Sequence, residues 1–197
     1  MGLEKAKNGK LLYHLTKYRN LESIIDNGLV SRKILKDNKA EFGDVANPDI
    51  ISRREELGLE KYIPFHFHPY SSFDVSVKCN FANEDLIYLC IQRDLAIENN
   101  FKILPKHPLT VDECVLYNYE EGFDLIDWDT LMEVGRTDTY AKHVKMAECV
   151  TDLYIPINLF QGIYVKSEIT KTKVINLLDK KNIKFPLPYV NKQPNWF

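Results

Sequence analysis

Glu148 is a lone acid in the run Met146-Ala-Glu-Cys-Val150. A carboxylate entering an apolar strand must be paired or open onto a cleft, because burying it bare is costly or forces it to take up a proton. Read alone, the stretch fits a strand-edge glutamate facing water equally well. His14 and Thr16 stand two apart in Tyr-His-Leu-Thr, a spacing that sets imidazole and hydroxyl on one side of a strand. His66-Phe67-His68 repeats that spacing with two histidines, which is a metal-ligand pattern if His14, His107 or Glu148 supplies a third group. The other reading has the two histidines flanking a buried Phe67 and meeting solvent or a ligand through hydrogen bonds. No second local ligand pair supports the metal, and none is expected.

Several chemistries are excluded by missing motifs. No Gly-x-Ser-x-Gly elbow, Walker loop or G-x-G-x-x-G is present, so the usual nucleophile turns and phosphate cradles are missing. The four cysteines show no C-x-x-C spacing, which argues against a zinc knuckle and fits a reducing compartment. With 197 residues, 45% apolar and 27% charged, the chain has the make-up of one ordinary globular domain. A net charge of −2 gives no whole-protein attraction to nucleic acid, so such a role needs a local patch. Met1–Lys10 lacks the apolar core of a secretory signal, and no run approaches the roughly 20 apolar residues that span a bilayer. The expectation is a soluble, cytoplasmic protein.

The elements that would position these groups follow from periodicity. Residues 11–16 read as a first strand, with Tyr13 and Leu15 on one side and His14 and Thr16 on the other. Leu21, Ile24, Ile25 and Leu29 repeat at helical spacing, with Asn20 as N-cap and Gly28 as C-cap. Residues 31–49 are polar and read as a long irregular loop, of the kind that often forms a functional lid. Ile50–Leu59 reads as a short helix carrying Arg53 and Arg54. Tyr62–Phe67 is an aromatic-rich strand in which Pro64 argues for an edge or a bulge. Phe73–Val77 reads as a helix or bent strand, Asp85–Gln92 as a central strand buried on both faces, and Leu95-Ala96 as the start of a connection. Phe101–Leu104 reads as a strand, Thr110–Asn118 as a short element, and Asp127-Trp-Asp as the opening of a helix. Val144 to Val150 has a strand-like pattern around Glu148. Leu159–Val165 reads as a last strand, Thr172–Leu178 as an amphipathic helix and Phe185–Phe197 as a tail. Strands and helices without βαβ alternation favour an α+β fold.

Taken together, Tyr-His14-Leu-Thr16, Asn20-Leu-x-x-Ile-x-x-x-Gly28, Ile-x-x-Arg53-Arg54, Tyr62-Ile-Pro-Phe-His-Phe-x-Pro69 and Met-Ala-Glu148-Cys-Val resemble the DarT family of DNA ADP-ribosyltransferases, in order from about residue 12 to 165. The resemblance implies one ADP-ribosyltransferase-like domain over residues 1–197, with a split, mixed central β-sheet and flanking helices. It implies NAD as co-substrate and transfer of ADP-ribose to a nucleobase of single-stranded DNA, thymidine or guanosine. It further implies a toxin whose partner is a DarG-like macrodomain antitoxin.

Carried over residue by residue, Glu148 matches the family's catalytic acid. Its task would be to hydrogen-bond the ribose 2′-hydroxyl and set negative charge beside the sugar as nicotinamide leaves. Arg54 matches the second catalytic residue; a guanidinium is ordinarily always charged, so a diphosphate-binding and polarising role is preferred over the family's proton-acceptor role. Arg53 is expected on the solvent side, in a local ion pair. His14, Leu15, Thr16 and Ser23 match cofactor contacts, and His107 a histidine beside the incoming base.

The sequence departs from the family on both sides of Phe67: after it Tyr70 stands in place of an arginine, and before it His66 stands in place of an aromatic residue. These positions border the substrate cleft, so Tyr70 joins His107 and Lys145 as a nucleic-acid contact, and the target base is open. Lys106 and Lys142 are further phosphate contacts, while Tyr117, Tyr119 and Tyr140 are candidates for base stacking. Asp112, Glu113, Glu120, Glu121, Asp124, Asp127 and Asp129 in the same region oppose a phosphate backbone. The alternatives are an ADP-ribosyltransferase acting on RNA or protein, or a non-catalytic module that binds NAD or nucleic acid.

Overall fold

The near-continuous apolar run Leu86–Gln92 becomes a strand buried along almost its whole length, and the rest of the sheet is laid out around it. The computed structural model describes residues 2–108, 114–183 and 188–197. Its elements are β1 (Leu11–Lys17), α1 (Leu21–Asn27), α2 (Arg32–Asp37), α3 (Pro48–Glu56), β2 (Ile63–His66), α4 (Ser72–Asn80), β3 (Leu86–Gln92), α5 (Arg93–Glu98), β4 (Lys102–Leu104), β5 (Tyr117–Asn118), α6 (Tyr119–Leu125), α7 (Trp128–Met132), α8 (Thr139–Val144), β6 (Glu148–Thr151), β7 (Gly162–Val165), α9 (Glu168–Lys180) and β8 (Tyr189–Lys192). The strands form one sheet in the order β5-β4-β6-β2-β1-β3-β7-β8. All neighbours are antiparallel except β7 and β8, so the sheet is mixed and the fold is α+β, as expected.

The sheet is split at its centre. β1 pairs with β3 through seven consecutive positions, yet meets β2 at a single pair, Tyr13 with His66. Pro64 explains the difference. A strand residue presents its N and its carbonyl to the same neighbour, and the Pro64 carbonyl is held by His14 Nδ1 at 2.9 Å, so the side that lacks an N–H faces β1. A ladder rung is therefore replaced by a side-chain hydrogen bond, and the strands diverge beyond it. The expected edge strand is thus an interior one, paired with β6 through four residues. Its proline is tolerated because that side borders the split.

Alternation along β1 sorts side chains into two cores. Leu12 joins the larger one with Ile87, Leu89, Phe65 and Phe160, while Tyr13 and Leu15 join Tyr88, Cys90 and Trp196 on the opposite face. His14 and Thr16 share the Leu12 side.

Other expectations need revision. The stretch 31–49 is not wholly irregular: Ser31 accepts from the Ile34 N–H and starts α2, and Asn47 with Pro48 starts α3. Asn20 makes no side-chain cap on α1. Leu95-Ala96 lies inside α5; of the two readings of Phe73–Val77 the helical one holds, within α4, whose capping box uses Ser71 and Asp74. Val144 ends helix α8 rather than belonging to the strand of Glu148. The tail contains β8, so β7 is not the last strand. The element expected from Thr110 lies partly outside the described residues, and β5 begins at Tyr117. Asp127 does open α7, accepting from the Thr130 N–H at 3.0 Å.

Candidate active site at the split of the sheet

The split opens a cavity of about 700 Å³, within the range of sites that enclose small ligands. Glu148, first in β6 and opposite His66 of β2, lines it together with His14, Thr16, Arg54 and His107. One wall is a face of α1 bearing Asn20, Ser23, Ile24 and Asn27, positions that helical spacing stacks on one side.

Arg54 and Glu148 form the centre. Arg54 Nη1 lies 2.9 Å from both carboxylate oxygens, and the two side chains are only 8% and 6% exposed. The lone acid is therefore paired as well as set in a cleft. Arg54 Nη2 is buried without a hydrogen-bond partner among the described residues, a donor left for a ligand. Arg53, one residue earlier, pairs with Glu56 at the surface.

His14 is held by the Pro64 carbonyl, and burial pulls its imidazole down to about 4 despite that hydrogen bond. The ring is neutral at pH 7. Because a carbonyl only accepts, Nδ1 carries the hydrogen and Nε2 is an acceptor. Thr16 Oγ1 accepts from Asn20 Nδ2 at 3.0 Å, which leaves its own proton free to donate. His107 is also pushed down to about 4 by burial, with Glu148 pulling it the other way. Its ring stacks on His143.

The segment 38–46 contributes to the cavity lining and is tied down at two points. Asn20 bonds both the N–H and the carbonyl of Gly43, at 2.7 and 2.9 Å. Arg32 grips Asp44 through two nitrogens at 2.9 and 2.8 Å.

Not every candidate reaches the cavity. Leu15 borders it, but its side chain packs into the second core, and Ser23 stands exposed on the α1 wall. Tyr70 stacks on His68 and packs against the second core, and it is not part of the cavity lining. The Lys145 ammonium donates to the carbonyls of Glu133 and Arg136 at 2.7 and 2.6 Å; it braces the turn before α8 instead of facing a phosphate. Tyr119 is buried in the core, whereas Tyr140 is exposed. His66 lines the cavity while His68 accepts from the Tyr70 N–H outside it. Among the described residues no group of three or more His, Cys, Asp or Glu could hold a metal. The tie from Asn20 to Gly43 and that from Arg32 to Asp44 are not visible locally, since these partners lie 23 and 12 residues away.

A mixed sheet with a central split and an acid lining the cleft is the arrangement that the resemblance to the ADP-ribosyltransferases implies. The family model described as "ssDNA thymidine ADP-ribosyltransferase, DarT" matches residues 13–197, and the chain belongs to that family. Comparison with curated proteins gives no match. Among solved structures, Thermus sp. 2.9 DarT in complex with ADP-ribosylated ssDNA superimposes with a TM-score of 0.79 at 17% identity, over 96% of this chain and 97% of that one. The same protein in complex with NAD+ gives 0.74 at 16% identity, over 95% and 97%. Thermosipho africanus DarTG in complex with ADP-ribose gives 0.73 at 19% identity, over 96% of this chain and 51% of that chain. Among the described residues no helix is long and apolar enough to cross a membrane.

Proposed function

We propose that this chain, as one domain over residues 1–197, transfers ADP-ribose from NAD to thymidine in single-stranded DNA, with Glu148 as catalytic acid and Arg54 as its partner. The observation that carries the reading is the buried Arg54–Glu148 pair lining the cavity at the split. The residues present fit NAD: the unpartnered Arg54 Nη2 suits an anionic oxygen, and His14 Nε2 and the Thr16 hydroxyl offer an acceptor and a donor.

When bound, NAD supplies an ADP-ribosyl group whose bond to nicotinamide breaks with the electron pair leaving on nicotinamide. Glu148 accepts from a ribose hydroxyl and holds negative charge beside the carbon that becomes electron-poor, stabilisation that strengthens as charge develops. Arg54 fixes both carboxylate oxygens through one nitrogen and turns the other toward the ligand, acting as an electrostatic clamp because a guanidinium does not release its proton readily. Neutral His14 adds no positive charge at that place. A ring nitrogen of the base would form the new bond to that carbon and release its own proton to solvent, and because the base must leave its stack to do so a single strand is favoured.

The family model and the DarTG match support a toxin paired with a DarG-like macrodomain antitoxin, and a cytoplasmic setting is part of the same proposal. The test incubates purified protein with labelled NAD and oligonucleotides of each base, alongside RNA and protein acceptors. Label is expected on thymidine-containing DNA and lost, by a factor on the order of 10²–10³, in Glu148→Ala. Undiminished transfer by that variant would overturn the mechanism, and preferential labelling of RNA or protein would replace the acceptor.

A further inference from the structure

The cavity lining mixes two kinds of surface. It holds charged and polar groups, Arg54, Glu148 and His14 among them. It also includes the apolar side chains Leu29, Ile34 and Leu35 and the ring of Tyr154. Tyr154 is 53% exposed and Ile34 37%, large apolar surface left open to solvent within a concave wall. Such surface marks a contact waiting for an apolar ligand face.

Tyr154 is positioned by the backbone beneath it. Leu29 and Ile155 exchange both backbone hydrogen bonds, at 2.8 and 3.0 Å, which lays Tyr154 directly over Gly28. Gly28 ends α1 at φ +72°, a conformation glycine adopts freely, and any Cβ there would overlap the Tyr154 ring. The ring is thus backed by main chain on one side, and it lines the cavity. Glu148 is the first residue of β6, whereas Tyr154 follows the strand's end at Thr151, so the ring and the reacting carboxylate are set on different segments of the cavity wall.

We propose that Tyr154 is the stacking platform for the adenine of NAD, with Ile34 and Leu35 completing an apolar slot. The assignment rests on the reading of the cavity as a dinucleotide site and adds which part of the chain recognises the non-reacting end. A flat aromatic base matches the tyrosine face, and base–aromatic stacking of this kind is worth about one to two decades in affinity. Held only by its remote end, the dinucleotide would gain binding equally in ground and transition states. The platform should therefore act on KM and leave kcat nearly unchanged.

The test measures ADP-ribose, AMP and ribose 5-phosphate binding calorimetrically on wild type, Tyr154→Ala and Tyr154→Phe. ADP-ribose and AMP are expected to bind Tyr154→Ala tenfold to a hundredfold more weakly than wild type. Tyr154→Phe should match wild type, and ribose 5-phosphate should not distinguish the three. Equal ADP-ribose affinity in Tyr154→Ala and wild type, or a weakening that ribose 5-phosphate shares, overturns the slot, as does failure of wild type to bind ADP-ribose. Because these readouts do not need turnover, they stand apart from the transfer assay. A protein that binds ADP-ribose through Tyr154 but labels no acceptor keeps the slot and loses the transferase reading. One that labels DNA with unaltered binding in Tyr154→Ala does the reverse.

Discussion

Replacing either member of the Arg54–Glu148 pair should cost far more stability than replacing both. The two side chains are 8% and 6% exposed and meet at 2.9 Å, so each has given up nearly all of its water for the other. Truncating one member leaves an uncompensated charge in a largely dry place, which costs about 3–5 kcal/mol. Exchanging both for apolar residues of similar size removes the charges together and is often close to neutral. For Arg54→Met and Glu148→Leu the two single costs would sum to about 6–10 kcal/mol, whereas the double variant should lose no more than about 2 kcal/mol. In a chain of 197 residues each kcal/mol moves Tm by about 2–4 °C. Each single variant should therefore melt about 6–20 °C below wild type, with the double variant recovering most of the loss. Denaturant unfolding followed by circular dichroism gives the three free energies. Transfer to DNA should be lost in all three variants, so the double variant regains its fold without its activity. Additive losses, or singles within about 1 kcal/mol of wild type, would refute the claim that the two groups compensate each other's burial.

Asn20→Ala removes the bonds that tie Gly43 to the end of β1; amide exchange at residues 42–45 should speed up and the KM for NAD should rise about tenfold, in line with loss of one or two hydrogen bonds. Lys145→Ala should lower stability by about 1–3 kcal/mol, the cost of leaving the Glu133 and Arg136 carbonyls unpaired, without altering the salt dependence of DNA binding. A phosphate contact would instead reduce the slope of log K against log salt by about 0.7. Acid should weaken the fold through its buried histidines. Burial lowers His68 from 6.5 to about 3 and His14 to about 4, so between those values and 6.5 the unfolded chain binds more protons than the folded one. The stability these neutral rings contribute is present above about pH 6.5 and lost as pH falls toward 3–4; for His68, 1% exposed, the loss between pH 7 and pH 5 is about 2 kcal/mol. Urea midpoints at the two pH values check this, and His68→Asn should flatten the dependence.

Local signals made part of this molecule readable. The apolar run of β3 could only be buried on both faces, and the alternation in residues 11–16 correctly set His14 and Thr16 apart from Tyr13 and Leu15. Asp127 announced α7 because a side-chain cap acts within three residues. Glu148 was conspicuous because an acid among apolar neighbours demands a partner, but its identity as Arg54, 94 positions away, is not a local property. The same holds for Asn20. Its side chain is of a type that caps helices, and periodicity points to a cap. The close approach of Gly43, 23 residues on, offers it two backbone groups instead. Lys145 and Tyr70 are a related case: one is picked out as a lysine near the cleft and the other by standing where the family has an arginine. Neither signal could show that two carbonyls hold the ammonium and that the tyrosine packs against the second core.

Pro64 shows how a feature that reads as a defect becomes the origin of the cavity. In a strand pattern a proline signals an edge, since it withholds a ladder donor. Here the edge is internal. The missing N–H faces β1, His14 supplies the lost hydrogen bond to the Pro64 carbonyl, and the two halves of the sheet touch at one residue pair where a continuous sheet would have several. The same imidazole is thereby oriented with Nδ1 as donor, kept neutral by burial, and presents Nε2 as an acceptor within the gap that the proline opened. Two residues later in the same strand as Pro64, His66 sits across from Glu148. So β2 carries both the residue that interrupts the ladder to β1 and the one that registers the acid's strand, and Glu148 lines the same cavity as His14. One withheld backbone donor thus opens the cleft and sets the tautomer of the histidine that shares it with the acid.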